Sequence, residues 1–201
     1  MSSEFSRRAV LTGLSAATVT AALPTSAFAL KGEEAKALID KAVAEINRVI
    51  QSGKPLSAMI RDFERIFAKY GDVPIIARSA LGADARRISK SQLAAYTKAF
   101  QGYMARKYGK RFNEFVGGQI DVQNSRKVKS FYEVTTTVKL RGEAPFEVNF
   151  LVSDRSERDR FFDMIIEGIS VRLSEKAEIG AMLDRRKGDI NALIADLNKA
   201  G

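Results

Sequence analysis

The hydrophobic pattern of the chain changes its period near Gly117-Gly118, and this change constrains the fold more than any other feature. Beyond these glycines, apolar and polar residues alternate along four consecutive segments. Such alternation is typical of antiparallel strands with one covered face and one wetter face. Residues 124–130 and 141–143 are predicted to form hairpin connections between the strands. The middle of the chain therefore predicts an antiparallel meander.

The segments before and after these strands carry apolar residues at helical spacing. Ser89, with Gln92 three residues later, predicts a capping box at the start of a long helix that ends at Gly109. Ser174 is predicted to cap the helix that follows the last strand. Helices first, a curled antiparallel sheet of about four strands next, and helices last indicate an α+β fold. In this fold the N- and C-terminal helices cover one face of the sheet.

The N-terminal segment has the three parts of an export signal. Arg7-Arg8 precedes an uncharged stretch over residues 9–30, and small residues at 27–29 form a cleavage site. The arginine pair resembles the twin-arginine export pattern. The stretch is too rich in serine and threonine for a stable transmembrane helix, and an uncleaved N-terminal anchor is the alternative. We therefore expect residues 1–29 to be an export signal and residues 30–201 to form a single domain.

The composition removes several kinds of chemistry. The chain has no cysteine and no histidine, so it lacks the usual zinc ligands, the commonest general base and the thiol nucleophile. We predict no enzyme activity, no metal site and no cofactor. The net charge is +9, and it would be +8 without the two arginines and one glutamate of the first 29 residues. This charge suits nucleic acid, but an export signal argues against such a partner.

The predicted inner face of the sheet and the covering helices enclose an apolar interior. This interior either closes into an ordinary core or stays open as a cavity for an apolar ligand, and the pattern alone leaves both open. In the last strand, Phe162, Met164 and Ile166 share the inward parity. The inward residues of the two central strands are expected to face the long helix that ends at Gly109. The candidate lining residues of a cavity are Phe63, Phe67, Ile76, Leu81, Phe100, Tyr103, Met104, Val122, Val134, Thr136, Val138, Val148, Phe150, Val152, Met164 and Ile166.

Two carboxylates on the last strand invite a comparison with acid/base pairs. Asp163 and Glu167 are four residues apart on a predicted strand, so they share one face. That face is opposite the predicted interior, and a usable site also needs a cleft and a positioned substrate. We therefore predict no catalytic residue here.

Two blocks of the sequence resemble the MlaC or toluene-tolerance family of periplasmic phospholipid-binding proteins of the Mla pathway. The blocks run from Tyr70 to Gly109 and from Phe161 to Leu197. Where this family usually has a Tyr-Arg pair after Ser170, the chain has Glu175-Lys176. The positions that carry the resemblance are Asp72, Ala77-Arg78, Leu81-Gly82, Arg86, Phe100, Tyr108, Asp163, Glu167-Gly168-Ile169-Ser170, Gly188-Asp189, Leu193-Ile194 and Leu197.

The resemblance implies a cystatin/NTF2-like α+β fold with a pocket for the acyl chains of a bound phospholipid. It also implies a monomeric periplasmic carrier that shuttles lipid between an inner-membrane ABC transporter complex and an outer-membrane lipoprotein complex. Anionic lipids or acidic partners would favour basic groups at the surface, and the candidates for headgroup binding or docking are Arg78, Arg86, Arg106 and Lys107. The alternatives are a small hydrolase or isomerase on the same scaffold, a hopanoid-type lipid carrier, and an adaptor with a filled interior.

Overall fold

The computed structural model describes residues 30–201, so the predicted export signal lies outside the described residues. The helices are α1 (Gly32–Ile50), α2 (Leu56–Tyr70), α3 (Val73–Leu81), α4 (Lys90–Gly109), α5 (Val171–Arg185) and α6 (Ile190–Leu197). Short 3₁₀ helices follow α3 at Gly82–Arg86 and α4 at Lys110–Asn113. The strands are β1 (Gln119–Val128), β2 (Phe131–Lys139), β3 (Phe146–Ser153), β4 (Arg160–Ile166) and β5 (Ile169–Ser170).

The strands form one antiparallel sheet in the order β1-β2-β3-β4-β5. The α+β prediction is confirmed, and the sheet has one more strand than predicted, a two-residue β5. The predicted connection over residues 124–130 is too long, because β1 continues to Val128 and only Lys129 and Ser130 join it to β2. Lys129 has a φ of 52°, in the left-handed region that tight hairpin turns require.

A bulge in β4 changes which of its side chains face the helices. Val152 pairs with Phe161, whereas the preceding Leu151 pairs with Asp163, so Phe162 is the extra residue. Phe161 is therefore on the inner face and is buried. The prediction that Phe162 points inward is wrong, since its ring packs edge-to-face on Phe131 on the other face, with 5.4 Å between ring centroids.

Serine side chains cap two of the helices. The Ser89 hydroxyl accepts from the backbone N–H of Gln92, and the Gln92 side chain accepts from the backbone N–H of Ser89, which confirms the predicted capping box. The prediction that Ser174 caps the next helix is wrong. Helix α5 begins one turn earlier, and Ser170 is its cap, accepting from the N–H of Leu173. Ser174 lies inside the helix and donates to the Ser170 carbonyl.

The helices cover the sheet unevenly. Helix α1 lies along the inner face of β1 to β3, while α3 and α5 lie against β4. The long helix α4 packs mainly on α2, α3 and α6. Helices from both ends of the described chain share one hydrophobic core with the inner face of the sheet. Within residues 30–201, no helix combines the length and the apolar character needed to cross a membrane.

Helix α1 also closes the free edge of the sheet at β1. The Asn47 side chain donates to the carbonyl of Ile120 at 3.2 Å and accepts from the N–H of the same residue at 3.4 Å. Farther along the strand, the Ser125 hydroxyl donates to the carbonyl of Gly32. Edge strands expose backbone groups that can pair with another chain. Asn47 occupies those of Ile120, and the Ser125 hydroxyl fastens the start of α1 beside the same edge.

Candidate functional site

The inner face of the sheet is a continuous apolar surface. Its centre consists of six buried side chains from β2 and β3: Val134, Thr136, Val138, Val148, Phe150 and Val152. The single polar group among them, the Thr136 hydroxyl, donates to the carbonyl of Val148 at 2.8 Å. Because this hydroxyl already has a hydrogen-bond partner inside the sheet, the groups that cover the face do not have to supply one. Val122, Met164 and Ile166 extend the surface at its margins, where they are partly buried.

The predicted helical residues belong to the same hydrophobic core. Phe67 on α2, Ile76 and Leu81 on α3, and Phe100, Tyr103 and Met104 on α4 are all buried, while Phe63 is partly buried. The sequence predicted that α4 faces the central strands. In the structure α1 lies nearer to them, and α4 is surrounded mainly by other helices. The structure thus brings the predicted residues together in one core, and their role in binding a ligand stays a prediction.

A row of phenylalanine rings runs from the end of α4 to the sheet. Phe112 packs edge-to-face on Phe63 with ring centroids 4.9 Å apart, and Phe63 stacks near Phe67 at 6.4 Å. Phe67 meets Phe161 at 6.0 Å, and Phe161 meets Phe150 edge-to-face at 5.4 Å. Phe112 and Phe161 were not among the residues predicted for the interior. Phe112 lies in a short 3₁₀ helix without a clear period, and the bulge hides the parity of Phe161.

A polar cluster joins α4 to α5 beside this apolar core. The Lys107 ammonium donates to Glu175 Oε1 at 2.8 Å and to Glu178 Oε2 at 2.5 Å. The Tyr108 hydroxyl donates to the same Glu175 oxygen at 2.8 Å, and the Tyr103 hydroxyl donates to Glu178. The Glu175 side chain is fully buried. Its carboxylate therefore depends on these donors, because a buried charge without partners is very costly.

The cluster shifts the ionisation of its members. Burial raises the pKa of Tyr103 and Tyr108, and the nearby Glu175 carboxylate raises both further, so the phenols stay protonated donors at neutral pH. Burial opposes the charge on Lys107, but its hydrogen bonds to Glu175 and Glu178 outweigh this effect and raise its pKa. The cluster is thus an internal ion pair with phenolic donors, whose groups bind one another.

The four basic residues predicted for headgroup binding or docking fall into two groups. Arg78 on α3 and Arg86 in the following 3₁₀ helix are exposed. Arg106 instead donates to the carbonyls of Leu197 and Ala200, which ties the end of the chain to α4. Lys107 is bound to the carboxylates of α5. The structure therefore gives Arg106 and Lys107 internal partners, and it leaves Arg78 and Arg86 facing solvent.

The carboxylate pair of the last strand has a structural explanation. Asp163 is buried and accepts from the Ser170 hydroxyl at 2.6 Å and from the backbone N–H of Arg172 at 2.9 Å, at the start of α5. Glu167 is exposed in the tight turn between β4 and β5, with a φ of 48°. Within the part of the chain that the structure describes, no group of acidic side chains is arranged to hold a metal ion.

These features define an α+β protein in which helices and one face of an antiparallel sheet enclose an apolar interior. The sequence matches the model of the MlaC protein family over residues 36–199, and the chain belongs to that family. No protein of curated function matches the sequence significantly.

The fold is similar to a solved structure of a phospholipid-binding protein from Ralstonia solanacearum in complex with a phospholipid. The TM-score is 0.70 at 16% sequence identity, and the alignment covers 82% of this chain and 95% of the Ralstonia chain. This likeness confirms the fold.

Proposed function

We propose that this protein is a periplasmic phospholipid carrier that holds acyl chains between the inner face of the sheet and the helices. In this proposal it acts as a monomer and shuttles lipid between an inner-membrane ABC transporter complex and an outer-membrane lipoprotein complex. The observation that carries the proposal is the match to the MlaC family over residues 36–199. The phospholipid bound to the structurally similar Ralstonia protein supports it.

The chemistry of the interior suits such a cargo. Each methylene taken out of water contributes about 0.8 kcal/mol, so a carrier has to shield whole acyl chains. The valines at the centre of the sheet and the phenylalanine row offer a surface without unsatisfied polar groups. These side chains are buried against one another, so acyl chains enter by separating the helices from the inner face of the sheet. The headgroup stays outside, where exposed cations such as Arg78 and Arg86 can meet its phosphate.

An enzyme on the same scaffold would need polar groups that converge on the interior and remain free to react. Tyr103, Tyr108, Lys107 and Glu175 do converge, but they donate to and accept from one another, and Glu175 Oε2 is their one buried oxygen without a partner. The raised pKa values of both tyrosines keep them from acting as phenolate nucleophiles or bases near neutral pH. In this proposal the cluster links α5 to α4 and takes no part in a reaction.

The test is organic extraction of the purified protein, followed by mass spectrometry of the extracted lipid. Val148→Trp places a large side chain on the inner face of β3, where it competes with acyl chains for space. Asn149→Trp is the matched control, because its neighbouring position on the same strand points to the other face. We expect phospholipid in the parent and in the control, and much less in Val148→Trp.

Thermal stability after delipidation separates a cavity from an ordinary core. In a packed core, an inserted tryptophan costs typically about 1–3 kcal/mol of unfolding free energy through overpacking. If the parent carries no lipid and Val148→Trp is strongly destabilised, the carrier proposal is wrong and the interior is a simple core. A hopanoid or another polycyclic lipid in the extract would retain the carrier but change its cargo.

A further inference from the structure

A groove on the helical side of the protein has an apolar floor and uncompensated positive charge. It lies between α3 and α4 and has a volume of about 540 Å³. Ile75 and Leu93 contribute apolar surface, and Ile75 is 44% exposed. Arg78, Lys90 and Lys98 line the same groove.

The charges of this groove have no acidic counterpart. Its lining includes no carboxylate, and within residues 30–201 Arg78, Lys90 and Lys98 form no ion pair. All three side chains are exposed. Lys90 also begins α4, whose helix dipole adds partial positive charge at this end of the groove.

A second groove, between α1 and α2, provides a comparison, because cations that line it are paired with carboxylates of the same groove. It has a volume of about 430 Å³ and is also lined by several cations. There, however, Lys69 lies 2.6 Å from Glu45, and Lys54 lies 2.7 Å from Asp62. Paired charges of this kind have little attraction left for an external anion. The α3/α4 groove differs because its cations remain available.

We propose that the α3/α4 groove docks the protein onto anionic membrane surfaces, with its cations on lipid phosphates and its apolar floor against the adjoining part of the lipid. The proposal rests on the proposed function in one respect, that a lipid carrier has to reach a membrane. A surface that is both apolar and basic is attracted to anionic lipid in two ways, by the burial of its apolar groups and by the electrostatic attraction of its cations. This site is distinct from the interior proposed for the acyl chains, and it shares only Arg78 with the proposed headgroup contacts.

The test is co-sedimentation of the protein with vesicles of phosphatidylcholine alone or of equal parts phosphatidylcholine and phosphatidylglycerol. We expect binding to the anionic vesicles, weaker binding at high salt, and little binding to the neutral vesicles. Replacing Arg78, Lys90 and Lys98 by Glu should weaken the vesicle affinity by at least about 100-fold, because losing the three cations costs about fivefold each and the three new carboxylates repel the anionic lipid. Ile75→Ser keeps the charge and should weaken binding by about tenfold through the lost apolar contact.

The matched control changes the net charge equally but leaves the groove intact. Lys41→Glu, Arg141→Glu and Lys199→Glu alter exposed cations that do not line the groove, and this triple variant should keep most of the parent's affinity. Urea denaturation of each variant establishes that it is folded.

Three results would overturn the proposal. The first is equal binding to both kinds of vesicle, and the second is an equal loss of affinity in the two triple variants. The third is no vesicle binding by the parent, and this result would leave an acidic protein as the partner of the groove. The measured quantity is protein on vesicles, not lipid in the protein. A carrier that loads lipid but ignores vesicles contradicts docking alone, and a protein that binds vesicles without ever holding lipid contradicts the carrier alone.

Discussion

The Nζ atom of Lys107 lies 2.8 Å from the Oε1 atom of Glu175, whose side chain has no exposure to solvent. Lys107 itself reaches the surface, with 31% of its side chain exposed. The pair connects the last turn of the long helix α4 to the first turns of α5. Tyr108 donates to the same Glu175 oxygen. A buried carboxylate in a helical layer is thus held by one cation and one phenol.

Removing the cation of this pair should destabilise the fold more than removing the pair. For Lys107→Met we expect a loss of about 3 kcal/mol of unfolding free energy, because Glu175 is left buried without its counter-charge. The double variant Lys107→Met with Glu175→Leu should recover most of this loss. Urea denaturation of the parent, both single variants and the double variant gives the coupling energy. Additive losses would contradict a buried, mutually dependent pair.

The stability of this cluster should also depend on pH through Glu178. Burial raises the pKa of its carboxyl, but hydrogen bonds from Lys107 and Tyr103 outweigh this and hold the pKa below the ordinary value of 4.5. Since the pKa is lower in the folded state, the carboxylate stabilises the fold above about pH 4.5, and this contribution is lost as the pH falls through the folded-state pKa.

Glu178→Gln isolates that contribution. The parent should exceed this variant in unfolding free energy at neutral pH, and the difference should shrink as the pH falls below 4.5. Glu143→Gln, in an exposed loop, serves as the control and should follow the parent throughout. A difference that stays constant across the acid range would show that Glu178 does not titrate with a lowered pKa.

Asn47 should protect the edge of the sheet as well as stabilise it. In Asn47→Leu, the N–H and carbonyl of Ile120 lose their side-chain partner, and we expect a cost of about 1–2 kcal/mol. The freed edge should also increase self-association, which light scattering during mild heating detects. Ala44→Leu adds a leucine at an exposed position of the same helix and keeps Asn47, so its scattering should match the parent's. Equal scattering by the two variants would count against edge protection.

The N-terminal arginine pair predicts export of the folded protein through the twin-arginine route. Replacing both Arg7 and Arg8 by Lys should leave the precursor in the cytoplasm. Cell fractionation and immunoblotting measure this, with the double substitution Arg86→Lys and Arg87→Lys as a control outside the signal. Normal accumulation of processed protein in the periplasm would contradict the twin-arginine route while leaving a general secretory signal open.

The parity of β2 and β3 could be predicted from the sequence because their side chains follow a strict two-residue period without interruption. Val134 pairs with Phe150 and Thr136 with Val148, as that period requires. The interior could be predicted for the same reason. Strand β4 could not, because a bulge inserts one residue, and no glycine marks the place.

Hydrogen-bond partners that are far apart in the sequence could not be predicted either. Arg106 and Lys107 look like one exposed basic cluster in the sequence. In the structure their partners are carbonyls and carboxylates 68 to 94 residues farther along the chain. A charge pattern identifies such residues as polar but does not identify what they bind. The start of α5 was misplaced because Ser170 and Ser174 are both suitable caps, and only the two-residue β5 decides between them.

The bulge in β4 predicts very different losses of stability for alanine substitutions at two adjacent phenylalanines. Phe161 is buried between Phe67 and Phe150, so Phe161→Ala should cost about 3–5 kcal/mol of unfolding free energy through lost burial and the cavity left behind. Phe162 is half-buried on the outer face, where it contacts Phe131, and Phe162→Ala should cost only about 1 kcal/mol. Uninterrupted alternation would place Phe162 inside and Phe161 outside, which reverses the order of the two losses. Urea denaturation of both variants therefore determines the register of β4, and a larger loss for Phe162→Ala would contradict the bulge. If the carrier proposal holds, Phe161→Ala should also change the lipid recovered by extraction, whereas Phe162→Ala should leave it unchanged.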